Sequence, residues 1–167
     1  MKRLTLFGLA LFLSACSFAP LRIGVDDFFV IIPGNSRFNG VCYTRVGEAV
    51  DANFRSVTYE GDALFTPGQN VGVTKVDIRV YGRATDPDPS SDDEVKCTDT
   101  ISAEDIPLSE DITLDADTVK RIEAGGSKLA ELVTQDEYWL GAAAADDGLV
   151  SLSGQIDFTN GAVKAFF

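Results

Sequence analysis

Histidine is absent from this chain, and with it go the Ser-His-Asp and Cys-His nucleophile systems and any imidazole ligand for zinc. Neither a P-loop nor a GxGxxG turn is present, so no nucleotide-binding motif and no cofactor are expected. Basic residues are scarce, 14 against 26 acidic ones for a net charge of −12. Such a surface repels phosphate backbones and anionic headgroups, which excludes nucleic acid as a partner and argues against electrostatic membrane docking. No apolar run is long enough to cross ~30 Å of hydrocarbon as a helix. The longest, Leu4 to Leu13, is about ten residues. No internal repeat is evident. Paired carboxylates can work as acid and base on a glycosidic bond. Here, however, 26 acids make close pairs unavoidable, and none stands in a recognisable motif.

What is present begins at residues 1–16, MKRLTLFGLALFLSAC. Lys2 and Arg3 form a basic start, the apolar run follows, and small residues lead to a cysteine. That is the three-part layout of a secretory signal. The segment Leu13-Ser14-Ala15-Cys16 resembles the lipobox of bacterial lipoproteins position for position. The resemblance covers only this start of the chain. It implies lipidation of Cys16, cleavage before it, and attachment to a membrane through several acyl chains, which together anchor firmly where one alone does not. Ser17 follows the lipidated cysteine, where Asp tends to retain such proteins at the inner membrane of enteric-type bacteria. Ser therefore implies the outer membrane if the organism has one. Residues 1–15 read as the signal peptide, 16–24 as a lipidated tether and 25–167 as one domain, with 152 residues left after cleavage and a net charge of −14.

Lipidation uses one of three cysteines. Cys42 and Cys97 remain, an even pair in a compartment where disulfides persist. A bridge would close a loop of 56 residues, which the chain-entropy estimate values at roughly 4 kcal/mol. The alternative is two free thiols or a redox pair, although no CxxC spacing and no His accompany them.

Val25 to Ile32 (VDDFFVII) reads as a buried strand, bounded by Pro33-Gly34-Asn35. Phe38 to Thr44 is a second strand candidate. The alternation changes parity between Val50–Phe54 and Val57–Tyr59, predicting a bulge or two short strands. Glu60-Gly61-Asp62 reads as a turn before a short strand, Ala63 to Phe65, that ends at Pro67-Gly68. Val71 to Ala84 is a clear strand with Val76, Ile78 and Val80 on one face. Thr85 to Asp99 (TDPDPSSDDEVKCTD) is an acidic, solvated loop by composition. Ile112 and Leu114 suggest a strand, and Val119 to Ala124 fits strand or helix. Gly125-Gly126 interrupts any longer helix, and Ser127 is the expected N-cap of a short one at 127–134, burying Leu129, Leu132 and Val133.

Asn160-Gly161 is the strongest short hairpin signal in the chain. It predicts a C-terminal meander in which Thr159 faces Ala162, Asp157 pairs with Lys164, and Tyr138 to Ala145 is the neighbouring strand. In that register Trp139 lies beside Gln155 and Phe166 on the outer face. These three form a candidate contact patch, either roofed by the 127–134 helix or exposed.

The fold class expected is all-β: an antiparallel β-sandwich of about eight strands with a C-terminal meander and one short helix. The meander would form one sheet, and 25–32, 50–59 and 71–84 the other. Phe29, Ile31, Val76, Ile78, Val80, Leu140, Leu152, Ile156, Phe158 and Val163 are the expected core. Asp86 to Cys97 lacks the sixth-position Gly and twelfth-position Glu of an EF-hand. Asp92, Asp93 and Glu94 are therefore only a weak oxygen-ligand candidate, and no metal is expected. The terminal Phe166-Phe167 is similar to the last strand of outer-membrane barrels, but residues 85–135 do not alternate as a barrel wall must; Phe167 is expected to fill the core. The functional expectation is a non-catalytic envelope lipoprotein that binds another envelope protein or a cell-wall component. The alternatives are a carrier or chaperone for an apolar ligand and a carboxylate-dependent hydrolase.

Overall fold

The structure is a computed structural model that describes residues 20–32, 40–46, 54–68, 72–145 and 153–167. Cys16 and the rest of the signal segment, Leu152, and the turns expected near residues 33–35 and 146–148 lie outside the described residues. Eleven strands and one helix follow in order: β1 (Leu21–Val25), β2 (Phe28–Ile32), β3 (Cys42–Val46), β4 (Ser56–Pro67), β5 (Lys75–Arg83), β6 (Val95–Cys97), β7 (Ile106–Pro107), β8 (Ile112–Asp115), β9 (Val119–Gly125), α1 (Ser127–Leu132), β10 (Tyr138–Ala144) and β11 (Gly154–Phe166). They form two antiparallel sheets packed face to face, an all-β sandwich.

The first sheet runs β1-β11-β4-β9, with β2 continuing the β1 edge alongside β11. The second runs β6-β3-β10-β5-β7, with β8 sharing the outer edge of β5. The facing sides supply the main core. Val57, Tyr59, Ala63 and Phe65 come from β4, Ile156, Phe158, Val163 and Ala165 from β11, Val76, Ile78 and Val80 from β5, and Tyr138, Leu140 and Ala142 from β10. Phe28 and Phe158 stack inside it with ring centroids 4.6 Å apart. Of the ten residues expected in the core, the seven from Val76 to Val163 other than Leu152 are buried.

Phe29 and Ile31 are not; they are 44% and 56% exposed, while Phe28 and Val30 point inward. The run FFVII is apolar on both faces, so alternation alone cannot choose its parity. The strand expected at 25–32 is broken at Asp26-Asp27, and ordered strand begins at Leu21, inside the expected tether. Glu60-Gly61-Asp62 is not a turn: β4 runs unbroken through it, and Gly61 faces the core beside the Tyr59 ring. Residues 119–125 are strand.

The meander does not form. β10 pairs with β3 and β5 in the second sheet, whereas β11 pairs with β1, β2 and β4 in the first. Asn160-Gly161 is a β-bulge within one long strand. Between the pairs Thr159↔Asp62 and Ala162↔Glu60, two residues of β11 oppose the single Gly61 of β4. Asn160 takes the left-handed conformation this needs, φ 53°. Lys164 accordingly meets Glu60 at 2.6 Å, not Asp157. The bulge faces the Asp26-Asp27 break: the Asn160 N–H donates to Asp27 Oδ1 (3.1 Å), and its side-chain amide donates to Asp62 Oδ2 (3.0 Å).

Helix α1 closes one end, burying Leu129 and Leu132, with Val133 buried just beyond. Its N-cap is Gly126, not Ser127. Gly125 and Gly126 turn the chain at φ 151° and 110°, which a side chain at Ser127 cannot replace.

Candidate functional site

Trp139 and its neighbours are where a site was expected, and the pairing of β10 decides what surrounds them. Alternation puts Tyr138, Leu140 and Ala142 into the inter-sheet core, so Trp139 and Ala143 take the outer face of the second sheet. There Trp139 stands between Arg45 of β3 and Arg83 of β5. Gln155 and Phe166 belong to the other sheet, opposite Ile31 and Thr66 and opposite Ser56 respectively. The three patch residues are therefore not brought together. Trp139 instead joins Val41, Tyr43, Tyr81 and Ala143 in a second, smaller apolar cluster and is only 3% exposed.

The cover over this cluster is not α1, which packs into the main core. It comes from the acidic segment after β5. Lys96, on β6, lies over the Trp139 ring at 5.2 Å from the centroid. Its ammonium donates to both Asp86 oxygens (3.0 and 2.8 Å) and to the Asp88 carbonyl (2.9 Å). Further along, the buried Asp105 accepts from Tyr43 Oη (2.7 Å), Arg83 Nη1 (3.1 Å) and the Ser102 N–H (2.6 Å). Glu104 also pairs with Arg83 and accepts from the Thr85 hydroxyl. Burial pushes the Asp105 carboxyl up, but the Ser102, Tyr43 and Arg83 donors together outweigh it and hold the group below the usual carboxylate range. Burial first, then the bond to Asp105, raises the Tyr43 phenol far above its ordinary value. Residues 85–99 are largely exposed, as their composition implies, but Lys96 is buried and, held by Asp86 and the Asp88 carbonyl, covers Trp139.

The Cys42–Cys97 bond lies within this cover. The two residues are direct cross-strand partners on β3 and β6, Cα–Cα 4.0 Å, with Cys42 buried and Cys97 exposed. The even pair of cysteines is therefore a disulfide.

Beside the Trp139 cover lies a cleft of about 510 Å³ lined by Asp26, Asp27, Arg45, Asp86, Asp92, Asp93, Glu94, Glu137, Lys96 and the edge of Trp139. The weak ligand candidates Asp92, Asp93 and Glu94 are here. Among the described residues, no three His, Cys, Asp or Glu side chains are placed to hold one ion. Both cations lining the cleft are already paired, Arg45 with Glu137 and Lys96 with Asp86. The Lys96 hydrogen bond lowers the Asp86 pKa, which is the wrong direction for a general acid. A second cleft, over Cys97 and residues 98–104, is also lined mainly by polar groups.

The outer face of the first sheet has no such cover from α1 or the acidic segment. A ladder of charges crosses its middle: Lys164 to Glu60, Glu60 to Arg121 (3.1 Å), and Arg121 to Asp62 (3.1 Å). The Lys164 and Arg121 bonds lower the pKa of Glu60, and the bond from the Asn160 amide, followed by that from Arg121, lowers the pKa of Asp62. To one side, Phe29 and Val119 share a cross-sheet row with Asp157 and Leu64, and Ile31 stands next to it. At the other end, Leu21, Phe166 and Phe167 are exposed, and Phe167 packs on Phe54 with centroids 5.4 Å apart. Phe167 does not fill the core; it is 63% exposed. Nothing in the sequence pattern marks these two apolar regions as separate, because the pairing of β11 with β1, β2 and β4 is what assigns them.

No protein-family model matches the chain, and no curated protein is significantly similar to it.

Proposed function

We propose that this protein is a membrane-anchored bacterial envelope lipoprotein whose sandwich is a non-catalytic binding or structural domain. The observation that carries the reading is Leu13-Ser14-Ala15-Cys16, standing five residues ahead of the first strand at Leu21. An ordered body so close behind an acylated cysteine is a domain held near the bilayer. The Cys42–Cys97 bond supports an extracytoplasmic, oxidising address. Ser17 favours the outer membrane where the organism has two. On the outer face of the first sheet Phe29, Ile31 and Val119 are exposed among the described residues, which supports an envelope protein or cell-wall component as partner.

Two other readings draw less support. A carrier for an apolar ligand asks for a Phe-lined pocket between the sheets, and the two clefts described above are on the outside and polar. A carboxylate hydrolase asks for an acid with a raised pKa, and each carboxylate found displaced is displaced downward. The test is detergent phase partitioning of the natural chain against Cys16→Ala, followed by capture of partners from native membranes. The natural chain partitions into the detergent phase and Cys16→Ala keeps its uncut leader; identical processing of the two would overturn the proposal.

A further inference from the structure

We propose that the end of the sandwich formed by Leu21, Phe54, Phe166 and Phe167 is a lipid-contact surface, seated on the bilayer that holds Cys16. The inference rests on the anchored reading above and adds to it an orientation and a second point of membrane contact. Among the described residues, three of the seven exposed large apolar side chains, Leu21, Phe166 and Phe167, lie at this one end, at 36%, 39% and 63% exposure. Pairing sets them at the same end of the first sheet: Leu21 is opposite Ala165 and so on the core-facing side, while Phe166, opposite Ser56 next to Arg55 and Phe54, takes the outer side. The Arg55 N–H donates to the Phe166 carbonyl at 2.7 Å, which fixes the Phe54 side of the cluster to the end of β11.

The length of chain between anchor and body selects the occupant. Cys16 and Leu21 are five residue steps apart, and a fully extended chain of that length spans at most about 18 Å. The headgroup layer itself is roughly 5–8 Å deep. The first residue of β1, Leu21, is therefore held within about two to three headgroup depths of the acylated cysteine, and it is part of the cluster. The exposed cations Arg22 and Arg55 flank it in a chain of net charge −12. Apolar rings rimmed by guanidinium groups suit an interface of acyl chains below and phosphates above. The other exposed apolar group, around Phe29, is nine residues away along β11, about 25–30 Å at strand rise. It is turned to a different part of the envelope and remains open to a protein partner.

The experiment uses the full-length lipidated protein, carrying Phe166→Trp, Phe167→Trp or Phe29→Trp, in vesicles of phosphatidylethanolamine and phosphatidylglycerol with brominated acyl chains. Native Trp139 is buried and supplies the baseline in each sample. An indole at 166 or 167 is expected to lose about half its emission to the brominated chains, because interfacial side chains sink ~5–10 Å, while Phe29→Trp and Trp139 lose none. Quenching of Phe29→Trp without quenching at 166 or 167 means the body lies on its sheet face, and overturns the proposal. No quenching at any position, with Cys16 found acylated by mass spectrometry of the same sample, also overturns it and leaves the anchor standing. A Cys16 without acyl chains removes the anchor and the inference together.

Discussion

Asp105 shows how one side chain holds a whole segment. Its side chain is fully buried, against 13% exposure for Arg83. Removing one partner of such a pair strands the other's charge. Asp105→Asn is therefore expected to cost about 3 kcal/mol, and Tyr43→Phe about 1–2 kcal/mol, both read as lower urea midpoints. Tyr138 gives the opposite case. Its hydroxyl is buried with no hydrogen-bond partner among the described residues, and burial raises its pKa to about 12. Tyr138→Phe removes an unpaid polar group and should leave stability unchanged or raise it by up to about 1 kcal/mol. Trp139, covered by Lys96, should emit at short wavelength and resist quenching by a soluble quencher. Strong quenching would mean that the acidic segment does not cover it.

Strand β11 owes its length to the bulge at Asn160-Gly161. Asn160-Gly161 can close a hairpin or make a bulge, because a two-residue loop and the one extra residue of a bulge put the same side chains on a common face. Either way Ile156 and Phe158 share a face with Val163 and Ala165, so the core was legible from alternation. The pairing was not. It depends on β4 being long enough, at Ser56–Pro67, to run beside both halves of β11, and Gly61 disguised that length as a turn. Once β11 is committed to β4, β10 must find other partners, and the expected meeting of Trp139, Gln155 and Phe166 dissolves. The short helix, the break at Gly125-Gly126 and the strand at β5 were legible because their signals are local. Phe29 and Ile31 were misjudged because FFVII is apolar on both sides. The bulge is testable: Asn160→Val puts a β-branched residue at φ 53° and should cost about 1–2 kcal/mol, whereas Asn160→Gly should cost much less.

For the molecule as a whole, stability is bounded by pH on both sides. Glu60, Asp62, Asp86, Asp88 and Asp105 all have lowered pKa values in the fold. Their contribution is present above the unfolded carboxylate range near pH 4 and is lost as pH falls through the lower folded values. Tyr59 and Tyr138 are raised to about 12, mainly by burial. Their neutral forms favour the fold up to the unfolded tyrosine pKa of about 10, and that contribution is lost as pH climbs towards 12. Thermal melts should therefore show a plateau between roughly pH 5 and 9 with losses at each end. Joining Cys42 to Cys97 restrains a long loop, and Cys42→Ala with Cys97→Ala should lower stability by roughly 4 kcal/mol.

Whether the β-sandwich is tethered at Cys16 is decided by the mass of the first peptide of the native protein. The expected result is a chain that begins at Cys16 and carries acyl chains on that cysteine. A chain that retains residues 1–15, or one whose Cys16 is a bare thiol or is joined to another cysteine, would contradict it.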